Sequence, residues 1–280
     1  MQTRGFGWTK DQVPVIGQGT WKMEGDSPVE ALAALQAGLD AGMTHIDTAE
    51  LYGGGRVESL VARAIAGRRH EIFLVSKVMP NHASRSGTVK ACEASLQRLG
   101  TDHLDCYLLH WPGPHPLEET VAAFEQLVKE GKIRSWGVSN FDVDDLDEAL
   151  QIAGPGRIAC NQVLYHLRTR DIEDRVIPWC VKHDVAVVGY SPFGSGDFPQ
   201  PQSKGGKVLA DVARAHGVTP HQIALAFLVR DPHVLAIPKS AKVVRVRENA
   251  AAAGLELTGD QVARLEEAFP LRRGRELPTL

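Results

Sequence analysis

The stretch Ile72–His110, IFLVSKVMPNHASRSGTVKACEASLQRLGTDHLDCYLLH, decides the fold. It opens on an apolar, β-branched run, Ile72–Val78. A segment with helical periodicity follows, Ser86–Leu99, and Gly100 stands just past it, where a glycine commonly ends a helix. A second apolar run, Leu104–His110, closes the stretch. Continuous apolar runs of this kind read as parallel strands covered on both faces. Two parallel strands need a crossover between them, usually a helix. The stretch is therefore one strand–helix–strand unit.

The same unit recurs in both directions. Further runs lie at Val13–Thr20, Thr44–Thr48, Ile133–Ser139, Ile158–Val163, Val185–Ser191 and Val234–Pro238. Their spacing is about 25–32 residues, except for a last interval of about 50, and suits a strand, a helix and two loops. Helical periodicity fills the intervals. Pro28–Ala41 has Ser27 before it as an N-cap and Gly42 after it as a stop. Val57–Ala66, Leu117–Glu130, Asp142–Ile152 and Ile172–His183 follow. The long interval holds Val208–His216 and Pro220–Val229. Val243–Ala253 comes after the last run, and Gly259–Ala268 begins on a Thr258/Gln261 capping box.

Eight such units predict an α/β fold, a (β/α)8 barrel in one domain spanning 1–280. The competing open sheet wants G-x-G-x-x-G after its first strand. Gly17 and Gly19 come nearest, but Lys22 stands where the third glycine is needed, and Gly53–Gly55 fails the spacing. No Pro/Ser-rich linker divides the chain. The loop Pro192–Gly206, rich in Gly, Pro and Ser, reads as a mobile lid at a strand end.

Composition narrows the function classes. The chain has 280 residues, 43% hydrophobic and 23% charged, close to ordinary globular usage. Lys plus Arg is 31 against 34 Asp plus Glu, a formal charge of −3, which gives no general attraction to nucleic acid or anionic membranes. No apolar run reaches the ~18 residues of a membrane span. Met1–Lys10 lacks the apolar core of a secretory signal. Cys92, Cys106, Cys160 and Cys180 are scattered within apolar segments, without zinc-finger or C-x-x-C spacing. A cytoplasmic monomer with reduced, buried cysteines is the expectation.

In a barrel the chemistry sits at the C-terminal ends of the strands. Asp47, Lys77 and His110 end the second, third and fourth strands, and Tyr52 lies five residues beyond Asp47. Each alone has a plain structural reading: a turn cap for Asp47, a paired or snorkelling lysine for Lys77, a hydrogen-bonded core histidine for His110. Together they point to proton donation by Tyr52. A free phenol, with pKa about 10, is a weak acid for carbonyl reduction. A neighbouring ammonium favours the phenolate and lowers that value. Asp47 would hold Lys77, and His110 would donate to, or orient, the carbonyl oxygen where negative charge develops. No H-x-x-x-H pattern or Cys/His cluster asks for a metal.

Several strings resemble the motifs of the aldo-keto reductase family. They are GQGTWK at 17–22, IDTAELY at 46–52, VSK at 75–77, LDCYLLHWP at 104–112, GKIRSWGVSNF at 131–141 and IPKS at 237–240. The resemblance covers nearly the whole chain in order. ACEASL at 91–96 and NQVLYHL at 161–167 are similar to bacterial members that reduce methylglyoxal and other small aldehydes.

The resemblance implies a catalytic tetrad of Asp47, Tyr52, Lys77 and His110, with Tyr52 as general acid and NADPH as hydride donor. It implies that Thr20 and Trp21 touch the cofactor. Ser139, Asn140 and Gln162 would hold the nicotinamide carboxamide, and Tyr190 would stack on the ring. Ser191, Phe193, Gly194 and Ser195 would form the pyrophosphate loop, with Lys22 reaching across to Asp197. The segment KSAKVVRVREN at 239–249 is a local basic patch after the eighth strand, where barrels commonly bind phosphate. The resemblance places Lys239, Ser240 and Arg245 on the 2′-phosphate and Glu248 and Asn249 on adenine. Lys242 replaces the usual hydroxyl residue and adds a cation.

Trp21 and Trp111 read as substrate-pocket walls. The short loop Pro112–Pro116 and short tail Pro270–Leu280 predict an open, shallow pocket with broad aldehyde tolerance. Two alternatives remain at this level. One is a nicotinamide-cofactor-binding regulatory or redox-sensing barrel with little turnover. The other is a barrel enzyme of phosphorylated metabolites, which explains the basic patch but not the Tyr52, Lys77 and His110 combination.

Overall fold

The computed structural model describes residues 1–272, 274 and 277–280. Arg273 and Arg275, two of the tail arginines, lie outside the described residues. The chain opens with strand β1 (Thr3–Gly5), which pairs antiparallel with β2 (Gln12–Pro14). Strand β3 (Gln18–Gly19) follows, then α1 (Pro28–Asp40), β4 (His45–Asp47) and α2 (Arg56–Ala64). The next elements are β5 (Phe73–Val78), α3 (Arg85–Leu99), β6 (Leu104–Leu109), α4 (Leu117–Lys129), β7 (Ile133–Ser139) and α5 (Val143–Ala153). Strand β8 (Ile158–Leu164), α6 (Val176–Lys182) and β9 (Ala186–Tyr190) lead to α7 (Lys204–His216) and α8 (Pro220–Leu228). The last elements are β10 (Val234–Ile237), α9 (Val243–Ala252) and α10 (Gly259–Ala268).

Strands β3 to β10 run parallel in sequence order, eight strands among the described residues. Backbone bonds close the seam between the first and last of them. Gly17 N–H donates to Ala236 O over 2.8 Å, Gly19 N–H to Pro238 O over 3.2 Å, and Ala236 N–H to Val15 O over 3.0 Å. The result is the (β/α)8 barrel. The seam needs glycine: a Cβ on Gly19 would sit 2.5 Å from Ile237 O.

Side-chain alternation within each strand builds two layers. Val75, Cys106, Leu108, Cys160, Val188 and Leu235 pack together inside the barrel. Leu74, Val78, Tyr107, Leu109 and Trp136 belong to the larger core under the helices. Both faces are apolar, so the sequence shows a continuous run, while the chain still alternates. Lys77 follows Val75 at the lumen-facing spacing, and His110 follows Leu108. That period of two carries both polar residues to the inner rim.

The structure corrects several boundaries. The run Val13–Thr20 is two strands. Its first part, Gln12–Pro14, joins the β1–β2 hairpin, and only Gln18–Gly19 enters the barrel sheet. Phe6, between the hairpin strands, is fully buried against the Phe73 ring (centroids 4.6 Å apart) and plugs the barrel floor. The segment Ile172–His183 is a single turn, Asp171–Glu173, followed by the shorter α6. Helix α7 begins at Lys204, inside the segment expected to be loop. Ser27 occupies the N-cap of α1 but its side chain makes no capping bond, whereas the Thr258/Gln261 box on α10 is formed. All four cysteines are free and buried. Among the described residues no helix is long and apolar enough to cross a membrane.

Candidate active site

The C-terminal ends of the strands open into one cleft. Thr20, Trp21, Asp47, Tyr52, His110 and Trp111 line it from one side. Ser139, Asn140, Gln162, Tyr190, Ser191 and Lys239 line it from the other. Lys77 stands behind this surface, with no solvent exposure.

Lys77 is the hub. Its Nζ donates to Asp47 Oδ1 at 2.6 Å, to Thr48 O at 2.8 Å and to Tyr52 Oη at 3.1 Å. An ammonium has three protons, and each finds an acceptor here. Burying such a charge is tolerable only when it is paired and hydrogen-bonded. Asp47 supplies the counter-charge, and Gln162 Nε2 donates to its other oxygen, Oδ2, at 2.7 Å. Burial acts to lower the Lys77 pKa, but Asp47 and Tyr52 together outweigh it and hold the pKa above its usual value. Lys77 is therefore a charged ammonium through the neutral range.

Tyr52 starts a single helical turn, Tyr52–Gly55, in which Gly53 and Gly54 both adopt positive φ, 58° and 62°. That turn is what aims Tyr52 back at Lys77, and L side chains would strain it. The expected lowering of the phenol pKa is not the net result. Burial raises it, Lys77 offsets only part of that rise, and Asp47 adds to it. Tyr52 thus stays protonated at neutral pH, the form that donates a proton.

His110 lies beside Tyr52, ring centroids 5.7 Å apart, and against Trp111 at 4.7 Å. Burial, helped by the Lys77 charge, depresses its pKa to about 2. It is a neutral imidazole with one N–H to donate. Its Nδ1 is buried with no hydrogen-bond partner among the described residues.

The far side of the cleft is a chain of hydrogen bonds. Asn140 Nδ2 donates to His110 O at 3.0 Å, and Tyr190 Oη donates to Asn140 Oδ1 at 2.9 Å. Ser139 Oγ donates to Gln162 O at 2.8 Å. The Thr20 hydroxyl, expected on the cofactor, donates to Asp47 O at 2.9 Å. Asn140, Ser191 and Ser195 all have left-handed backbone, with φ of 60°, 49° and 48°. Such strain in non-glycine residues gathers at functional sites.

Other expected residues lie farther out. Gly194 and Ser195 form a turn beyond Ser191, and Phe193 packs edge-on against Phe198 and His221. Ser240 accepts from Lys242 N–H at the start of α9. On α9 itself Arg245 is exposed, Glu248 is partly buried and Asn249 is buried. The proposed Lys22–Asp197 clasp is absent: Asp197 pairs with Arg168 at 2.7 Å, and Lys22 Nζ sits 4.1 Å above the Trp21 ring. In the tail, Leu280 lines the cleft and its N–H donates to Tyr190 Oη at 3.3 Å. Leu51, Ile237, the Thr48 carbonyl and Leu280 were not anticipated. Leu51 was within reach, as the neighbour of Tyr52. Nothing in the tail's composition marks Leu280.

Among the described residues no group of three or more His, Cys, Asp or Glu is placed to hold a metal. The arrangement can hold a proton on Tyr52, a fixed positive charge behind it and a neutral donor beside it.

Comparison with known proteins shows the family. Residues 15–269 match the profile of the Aldo/keto reductase family. The chain is 44% identical over 265 residues to methylglyoxal reductase YeaE of Escherichia coli K12, covering 94% of this chain and 93% of that protein. It is 33% identical to the glyoxal reductase of Bacillus subtilis, covering 91% and 88%. An aldo/keto reductase of Klebsiella pneumoniae, solved with NADP and acetate and also with NADPH, superposes with a TM-score of 0.93 at 45% identity. That match covers 100% of this chain and 99% of the other.

Proposed function

The chain belongs to the aldo/keto reductase family, and on that premise we propose that it reduces aldehydes and ketones to alcohols with NADPH, with Tyr52 as the general acid. Small aldehydes such as methylglyoxal are the proposed substrates. The observation that carries the reading is the position of Lys77 Nζ, 2.6 Å from Asp47 and 3.1 Å from Tyr52 Oη at the back of the cleft.

The cleft fits the cofactor's chemistry. Tyr190, Asn140, Gln162 and Lys239 all line it. Beyond Lys239, Arg245 is exposed on α9. Ser139, Asn140, Gln162 and Tyr190 would hold the nicotinamide, the loop 191–195 the pyrophosphate, Lys239, Ser240 and Arg245 the 2′-phosphate, and Glu248 and Asn249 the adenine. Bound NADPH supplies a hydride to the carbonyl carbon.

The protein's part is the proton. Tyr52 donates from Oη to the carbonyl oxygen as negative charge develops there. The phenolate left behind is stabilised by the adjacent Lys77 ammonium, which Asp47 keeps in place. His110 steadies the oxygen through a neutral N–H and adds no charge of its own. Trp21, Trp111, Leu51 and Leu280 supply the apolar walls around the carbonyl. Reduced, buried cysteines suit the cytoplasm as the working compartment.

NADPH oxidation followed with methylglyoxal and a panel of aldehydes, ketones and sugars tests the reading. Tyr52→Phe should lose about 10²–10⁴-fold in turnover while binding NADPH as before. Near-native turnover by that variant would remove Tyr52 from the role, and absence of turnover with every carbonyl would favour a cofactor-binding regulatory protein.

A further inference from the structure

The basic patch after β10 is not a free set of cations. Residues 239–247 contain Lys239, Lys242, Arg245 and Arg247. Two of these four are held by acids from the opposite end of the chain. Lys239 Nζ pairs with Asp26 Oδ2, and Lys242 Nζ pairs with Glu30 Oε1 at 2.7 Å. Asp26 lies between the turn Met23–Gly25 and α1, and Glu30 is in the first turn of α1. Closure of the barrel between β3 and β10 brings these segments together, and α1 packs on α9 beside them. The Asp26–Lys239 pair is at the cleft itself, since Lys239 is one of its lining residues.

Carboxylate and phosphate oxygens make the same charge-assisted bonds to an ammonium. A ligand phosphate reaching Lys239 and Lys242 must replace carboxylates already there. We infer that Asp26 and Glu30 are built-in surrogates of the 2′-phosphate: they occupy Lys239 and Lys242 when no cofactor is present, and their displacement sets how strongly the site prefers a 2′-phosphorylated dinucleotide. The inference rests on the reading that Lys239 faces the 2′-phosphate, and it adds Lys242 as a second cation within reach of the same group. NADH carries no such group and leaves both pairs intact. The acids therefore weaken NADPH selectively, and they ease release of NADP after each turnover.

The test uses the full chain with Asp26→Asn and Glu30→Gln combined. Both side chains are partly exposed, at 29% and 51%, so the fold tolerates the neutral amides. Dissociation constants are measured for NADPH and NADH, and for 2′,5′-ADP and 5′-ADP as fragments, at low and high salt. Partly exposed ion pairs are weak, so NADPH and 2′,5′-ADP should tighten by about three- to ten-fold, with NADH and 5′-ADP within about two-fold. Salt should shrink the gain. Equal tightening of both dinucleotides overturns the inference, as does weaker NADPH binding, which would mean that the acids position the lysines. Lys239→Met in the otherwise unchanged chain separates the two layers. If it fails to weaken NADPH more than NADH, the phosphate reading falls and the inference with it. If it does so but the amide pair changes nothing, the inference alone falls.

Discussion

Gln162 Nε2 donates to Asp47 Oδ2 over 2.7 Å, a bond between β8 and β4 across 115 residues of sequence. The other Asp47 oxygen takes the Lys77 ammonium. A fully buried carboxylate thus has both oxygens satisfied, and Gln162 acts on Tyr52 at two removes.

Gln162→Leu should therefore leave Asp47 Oδ2 unpaired in the barrel interior. Loss of a hydrogen bond to a buried charge costs about 1.5–3 kcal/mol. The expected outcome is that loss in urea unfolding, together with a lower kcat for carbonyl reduction. Unchanged stability with weakened NADPH alone would mean that Gln162 serves only the cofactor.

Removing Lys77 should be worse than removing the pair. Lys77→Met leaves the buried Asp47 carboxyl without its counter-charge, with only Gln162 still bonded to it, at an expected cost of about 3–5 kcal/mol. Lys77→Met combined with Asp47→Asn removes the stranded charge and should recover most of that stability. Turnover should stay lost in both. Additive destabilisation in the double variant would show that the two residues do not share the interaction.

The pH dependence of reduction should be plain. His110, with its pKa depressed to about 2, does not titrate in the working range. Tyr52 is raised above its ordinary value and is protonated throughout neutral pH. Reduction measured as kcat/KM should be level from about pH 5 to 9 and fall only as Tyr52 loses its proton, above about 10. An acid limb near pH 6.5 that His110→Gln abolishes would show a titrating His110 and refute the neutral-donor role.

Stability should fall in acid through His45. This residue is fully buried on β4 and neither ring nitrogen has a hydrogen-bond partner among the described residues. Burial pushes its pKa down to about 4, with Asp47 opposing and Lys77 assisting. The unfolded imidazole titrates near 6.5. Between those values the unfolded chain binds more protons, so stability is full above about pH 6.5 and declines as pH falls. The loss by pH 4.5 is about 2–3 kcal/mol from this group. Urea unfolding at pH 7.5 and 4.5 should show a smaller difference for His45→Leu than for the parent chain, and equal differences would rule His45 out.

Sequence alone determined the barrel and most of its rim. The apolar runs had to be buried strands, their spacing left room for a helix in each interval and two in the last, and Asp47, Lys77 and His110 stand at or one residue before the ends of three of those runs. A polar residue closing an apolar strand can lie only at the rim, so position along the chain was enough. Tertiary structure decided what those residues are to one another. It split Val13–Thr20 between a hairpin and a barrel strand, because backbone pairing depends on what lies alongside. It tied Gln162 to Asp47 and Asp26 to Lys239, 213 residues apart. It raised the phenol pKa that local charge counting would lower, because burial acts through every atom around Tyr52 and leaves no mark in the sequence. It also brought Leu280 back over the cleft. Strand and helix follow from local pattern, whereas ion-pair partners, burial and the shape of the mouth arise only when distant segments close on each other.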